Sequence, residues 1–137
     1  MDYFEWNDAL KVGNQLIDQD LFELVTLVNE VHQAVQEGKS TDVLAKILQA
    51  LLNYTQEHFQ REELLMEHIA YSDIEAHKAM HQKLLDQVLV LQDAFERGRS
   101  EVASNTSELL RYWLTHHIMR TDKKLSHAIR EAGLVEL

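Results

Sequence analysis

The sequence contains no cysteine and no proline, and only four glycines: Gly13, Gly38, Gly98 and Gly133. The lack of cysteine excludes disulfides, thiolate zinc sites, iron–sulfur clusters and a thiol nucleophile, so any metal must be held by nitrogen and oxygen. Without proline, and with so few glycines, little interrupts a helix over long stretches. Basic residues are scarce too, 13 Lys and Arg against 23 Asp and Glu, for a net charge of −10. With no basic patch to neutralise phosphates, nucleic acid and anionic membranes are not expected as partners. No apolar run approaches the roughly 18 residues of a membrane span, and the opening MDYFEWND is acidic, unlike an export leader. A cytoplasmic protein is therefore expected. What is abundant is histidine, with eight in 137 residues. Hydrophobic residues make up 45% of the chain, enough for a core, and the length points to a single domain over 1–137.

Apolar spacing predicts an all-α fold. Ile17, Leu21, Leu24, Val28, Val31 and Val35 form one stripe with a 3.6-residue period, so a first helix is expected from Asp18 to Glu37. A second, capped by Ser40 or Thr41, is expected to run to Glu67 with Val43, Leu44, Ile47, Leu51, Tyr54, His58, Leu65 and Met66 on its inner face. After a connection at Ile69 to Ser72, a third helix spans Asp73 to Arg97. Ser100 then caps a fourth, Glu101 to Met119, and a short fifth covers Lys123 to Glu131. Gly38 and Gly98 stand where a helix end needs a left-handed residue. Four long helices joined by short connections imply an up-down-up-down antiparallel four-helix bundle. The first 13 or so residues form an arm whose Phe4 and Trp6 pack over it.

Chemistry concentrates in three pairings. His58 and Glu62 are four residues apart, as are His77 and His81, and that spacing puts both side chains on one helix face. His117 and Asp122 are five apart, which on an α-helix leaves them roughly 140° from each other. For these two to share a site, the helix must end or distort between them, at Met119 to Thr121. His58 continues the stripe of Ile47, Leu51 and Tyr54. His77 and His81 lead into Leu84, Val88 and Leu91, and His117 follows Leu110, Trp113 and Leu114. Four histidines and two carboxylates thus face one interior. Buried unpaired, each would cost several kcal/mol, so a metal centre is the economical explanation. Nitrogen and oxygen donors suit iron, manganese or zinc, and carboxylates bridging bundle helices favour two metals. His32, His68, His116 and His127 fall off these faces and read as surface or boundary residues.

The motifs HFQREE from His58, HKAMH from His77 and WLTHHIMRTD from Trp113, with a Trp-containing N-terminal arm, resemble those of the bacteriohemerythrins of the hemerythrin family. The likeness extends to the VG at Val12 and the IDQD at Ile17, over nearly the whole chain. It implies a di-iron centre that binds dioxygen reversibly inside a four-helix bundle. One iron would take three histidines, matching His77, His81 and His117. The other would take two, one matching His58. Glu62 and Asp122 would bridge the two iron ions (Fe2+/Fe3+) together with an oxo or hydroxo group. Dioxygen would bind at the open position of the two-histidine iron and leave as the same molecule.

The resemblance also exposes a departure. The family's first-helix histidine sits in a phrase like IDxxHxxL, and here IDQDLFEL places Leu21 at that position. The second iron then has four ligands from the chain and the bridge where the family has five. Three consequences are open. That iron is held weakly, or it is retained with extra water and is more prone to autoxidation or peroxide-driven chemistry. Alternatively, Asp20 or Glu23, about 100° or 200° round the helix from Leu21, swings in through a local register change. Phe59, Trp113, Leu114, Ile118, Leu21 and Val25 are the candidates for an apolar surround. A dioxygen carrier, store or sensor is expected. The alternative is an oxidase- or peroxidase-like enzyme using the extra open position, and a purely structural or signalling bundle would hold no metal.

Overall fold

The computed structural model describes residues 3–99 and 101–133, with Ala9, Ile118 and Met119 described as backbone only. The expected Ser100 cap lies outside the described residues. A 3-10 turn at Asp8–Leu10 precedes α1 (Gln15–Gln36), α2 (Thr41–His68), α3 (Ile74–Glu96) and α4 (Val102–His117). A π-helical turn at Ile118–Asp122 then leads into α5 (Lys123–Glu131). No strand occurs among the described residues. Each long helix packs on the next, and α4 closes back on α1, giving the up-down-up-down antiparallel bundle.

The helix ends show why these segments form. Asn14 caps α1 by accepting from the Ile17 N–H at 3.0 Å, so the helix begins three residues earlier than the apolar stripe suggests. Ser40 caps α2, accepting from Val43 N–H at 3.3 Å. Gly38 (φ +68°) and Gly98 (φ +97°) end α1 and α3 with paired backbone bonds, Gly38 to Val35 and Lys39 to Ala34, and Gly98 to Phe95 and Arg99 to Ala94. The end of α2 has the same pair of bonds, Ala70 to Glu67 and Tyr71 to Met66, but its left-handed residue is Ala70 at φ +52°. An alanine there carries a Cβ where glycine would not, a strain that no glycine signal marks.

The core stripes follow the expected faces with one shift. Ile17, Leu21, Leu24, Val28 and Val31 of α1 are buried, as are Leu84 and Val88 of α3 and Leu110 and Leu114 of α4. On α2 the contact is carried by Leu44, Leu48, Leu51 and Leu52, whereas Val43 in the first turn is exposed. The arm is fastened by side chain and backbone together. Phe4 is buried, its N–H donates to Asn29 Oδ1 at 2.7 Å, and Asn29 Nδ2 donates back to the Phe4 carbonyl at 2.8 Å. Trp6 meets Phe22 edge to face, with ring centroids 5.7 Å apart. Leu125 and Ile129 anchor α5 in the core. No described helix is long and apolar enough to cross a membrane.

Candidate metal centre

All six residues selected by spacing lie inside the bundle. His58, His77 and His81 are each 1% exposed, and Asp122 is fully buried. Helix α2 supplies His58 and Glu62 one turn apart, and α3 supplies His77 and His81 in the same way. The fourth helix does distort where the five-residue spacing requires it. The turn at Ile118–Asp122 is π-helical. An i→i+5 turn accommodates roughly one residue more than an α-turn, so residues five apart return to one face. His117 Nε2 accordingly lies 3.0 Å from Asp122 Oδ1.

Glu62 is the hub. Its Oε1 is 2.7 Å from His77 Nε2 and 3.2 Å from His81 Nε2, while its Oε2 is 3.0 Å from His58 Nε2. Asp122 Oδ1 is also 3.5 Å from His77 Nε2. Despite these short separations, the inward atoms lack hydrogen-bond geometry. The Nε2 atoms of His58, His77, His81 and His117 and both oxygens of Glu62 and Asp122 are buried without a hydrogen-bond partner. Buried polar atoms are ordinarily satisfied, so a convergent set of orphans marks a place built for something else. They fall into two overlapping groups, Glu62 with His77, His81 and His117, and His58 with Glu62 and Asp122. Within each group the donor atoms lie within 4.8 Å of one another.

The electrostatics fit a site that expects positive charge. Burial disfavours charge on Glu62, but charged His58 and the close imidazoles of His58, His77 and His81 outweigh it and hold the carboxyl well below its usual range. Burial also works against the His58 imidazolium. The Glu62 charge and the Asp20 hydrogen bond overcome that and raise it to about 10. For His77, burial is likewise overcome, here by Asp122 and Glu62, and the value rises to about 9. A dication bound among these groups would take the place of protons on the ligating nitrogens.

Two outer carboxylates orient the imidazoles. The Nδ1–H of His81 donates to Glu63 Oε2 at 3.0 Å, and that of His58 donates to Asp20 Oδ2 at 3.0 Å. Each leaves Nε2 facing the centre. Asp20 also takes two bonds from Arg61, Nε and Nη2 at 2.8 Å each, and one from the Tyr54 hydroxyl at 3.0 Å. Burial would raise the Asp20 carboxyl, yet the bonds from His58 and Arg61 lower it to about 2. Spacing considered Asp20 only as a substitute ligand and did not single out Arg61 or Glu63. The signal for Glu63 was its place beside Glu62. Asp20 and Arg61 had none, because their meeting joins positions 41 apart in the chain. Helix α1 runs without interruption from Gln15 to Gln36, so the register change that would bring Asp20 or Glu23 inward is absent.

Aromatic rings back the histidines. Phe59 stacks on His81 with centroids 3.8 Å apart, and Trp113 stacks on His117 at 4.1 Å. Phe59, Leu114, Leu21 and Val25 are buried as the apolar surround requires, and Trp113 is half-buried. The side chain of Ile118 lies outside the described residues. Of the four other histidines, His68, His116 and His127 are exposed, and His32 stacks on Tyr3 at 3.9 Å, away from the centre.

The chain is similar to known proteins in sequence and in fold. Residues 13–129 match the family model described as the hemerythrin HHE cation binding domain. A bacteriohemerythrin of Pseudomonas aeruginosa (strain LESB58) is 33% identical over 132 residues, 96% of this chain and 85% of the relative. One from Methylococcus capsulatus (strain Bath) is 38% identical over 97 residues, 71% of this chain and 73% of the relative. The crystal structure of wild-type hemerythrin superposes with a TM-score of 0.86 at 30% identity, covering 97% of this chain and 98% of the other. On sequence and architecture alike, the chain belongs to the hemerythrin family.

Proposed function

We propose that this chain holds two iron ions and binds dioxygen reversibly, as a carrier, store or sensor, with its second iron one nitrogen ligand short. The observation that carries this reading is the convergence of eight buried, unpartnered nitrogen and oxygen atoms from His58, Glu62, His77, His81, His117 and Asp122. Their chemistry fits iron, since imidazole and carboxylate without sulfur suit a borderline metal that changes oxidation state. His77, His81 and His117 would hold one ion and His58 the other, with Glu62 and Asp122 spanning both. Iron there would supply the electrons that bind dioxygen and recover them when it leaves.

The chain's residues have clear tasks in this reading. Glu62 presents one oxygen toward His77 and His81 and the other toward His58, so it can hold two ions at a fixed separation. Phe59 and Trp113 press flat against His81 and His117 and limit rotation of those rings. Burial of all six donors keeps bulk water and its protons from the centre, which suits a very small ligand. That favours binding of a diatomic molecule over an oxidase acting on a larger substrate. Leu21 occupies the α1 position of the family's further histidine and is fully buried. It leaves the second group with a single nitrogen.

Iron quantitation with optical spectra of the reduced and the air-exposed protein tests the proposal. Two irons per chain and reversible colouring on exposure to air are expected. An iron-free protein purified from iron-replete cells, unable to take up iron(II), would refute it. Prompt bleaching with peroxide release would instead favour the oxidase-like alternative.

A further inference from the structure

The α1 helix reaches the nitrogen-poor half of the centre through a residue that is not a ligand. Asp20 precedes Leu21 by one position, so it lies about 100° round the helix, off the line of the inward face. Its carboxylate nevertheless is 6% exposed and is gripped from three directions, by the His58 Nδ1–H, by both Nε and Nη2 of Arg61, and by the Tyr54 hydroxyl. An aspartate accepts and cannot donate when ionised. Its contact with His58 therefore sets which ring nitrogen carries the proton and turns Nε2 toward Glu62. The corresponding carboxylate on the three-histidine side is Glu63, which holds His81 with one bond and is itself 28% exposed on its side chain. The more elaborate and more deeply buried device serves the poorer ligand set.

We infer that Asp20, clamped by Arg61 and Tyr54, is the positioning residue that lets His58 serve as the sole nitrogen donor of the second metal, replacing through an outer hydrogen bond part of what α1 does not supply at Leu21. The inference rests on the two-metal reading above. A negative charge hydrogen-bonded to the far side of an imidazole strengthens its donor nitrogen and locks the ring, and loss of such a partner typically lowers metal affinity about 10- to 100-fold. Arg61 opposes the charge of Asp20 while fixing its position. The same contact thus gives orientation without leaving an uncompensated buried carboxylate.

The test compares Asp20→Asn with Glu63→Gln in the full chain. Both are stripped of metal, titrated anaerobically with iron(II), and challenged with a graded chelator while iron per chain is counted. Far-ultraviolet circular dichroism confirms that each remains folded. Asp20→Asn should keep one firmly held iron and release the other at about 10- to 100-fold lower chelator, whereas Glu63→Gln should loosen the other, firmer iron. Arg61→Gln and Tyr54→Phe, which free Asp20 without removing it, should weaken the same iron as Asp20→Asn and by less, and they carry the test if Asp20→Asn does not fold. Two irons held as firmly by Asp20→Asn, or by both clamp variants, as by the parent would overturn this inference alone. A parent chain that binds a single iron would overturn the two-metal reading and this inference together.

Discussion

Placing a histidine at position 21 probes the proposed missing ligand at its source, and its effect should change with metal. Leu21 is fully buried. Removing it forfeits about 1.5–3 kcal/mol of apolar burial, and a buried imidazole lacking a partner adds a penalty of about 1–3 kcal/mol. Metal-free Leu21→His should therefore be less stable than the parent by about 2.5–6 kcal/mol, which is roughly 10–20 °C in Tm for a chain of this size. With iron(II) the added nitrogen becomes a ligand. If it tightens the second metal by about 100-fold, saturating iron stabilises the variant by about 2.7 kcal/mol more than it stabilises the parent. Urea melts of chelator-stripped protein, run anaerobically with and without iron(II) and paired with iron counts, measure both numbers. The spectrum on exposure to air should also show slower bleaching in the variant. Equal metal-dependent stabilisation, with equal iron content and equal spectra, would refute the claim that a ligand is missing at position 21.

Three further outcomes follow from the geometry. Glu62→Gln alters the carboxylate common to the two donor groups, so on the two-iron proposal iron per chain should fall from two to at most one by colorimetric assay. Replacing His32, His68, His116 and His127 together by Gln should leave the iron count unchanged, because none of these side chains reaches the centre, and should change stability by no more than about 1 kcal/mol. Ala70→Gly relieves a non-glycine residue at φ +52°. It should raise the melting midpoint by the equivalent of up to about 1 kcal/mol, read by thermal denaturation of the metal-free protein.

Much of this molecule was legible in the linear order of its residues, because helix periodicity and ligand spacing are both local. His58 and Glu62, and likewise His77 and His81, are one α-helical turn apart, so their shared face follows from backbone geometry before any packing is known. The five-residue gap between His117 and Asp122 even announced a distortion of the fourth helix, which takes the form of a π-helical turn at Ile118–Asp122. Capping showed the limits of local reading. The apolar stripe placed the start of α1 at Asp18, but Asn14 begins it earlier, and the left-handed Ala70 had no glycine to mark it.

The sequence by itself determined the helices, their inward faces and the inventory of donors, since each depends on neighbours within a turn or two. Only the tertiary structure decided how the donors divide into two groups around Glu62, because that requires α2, α3 and the end of α4 to meet at one depth in the bundle. It also decided the role of Asp20. On the helix wheel that residue is merely off the apolar face. In the folded bundle, α1 lies against α2, and a carboxylate that would otherwise face solvent is enclosed by Tyr54, His58 and Arg61.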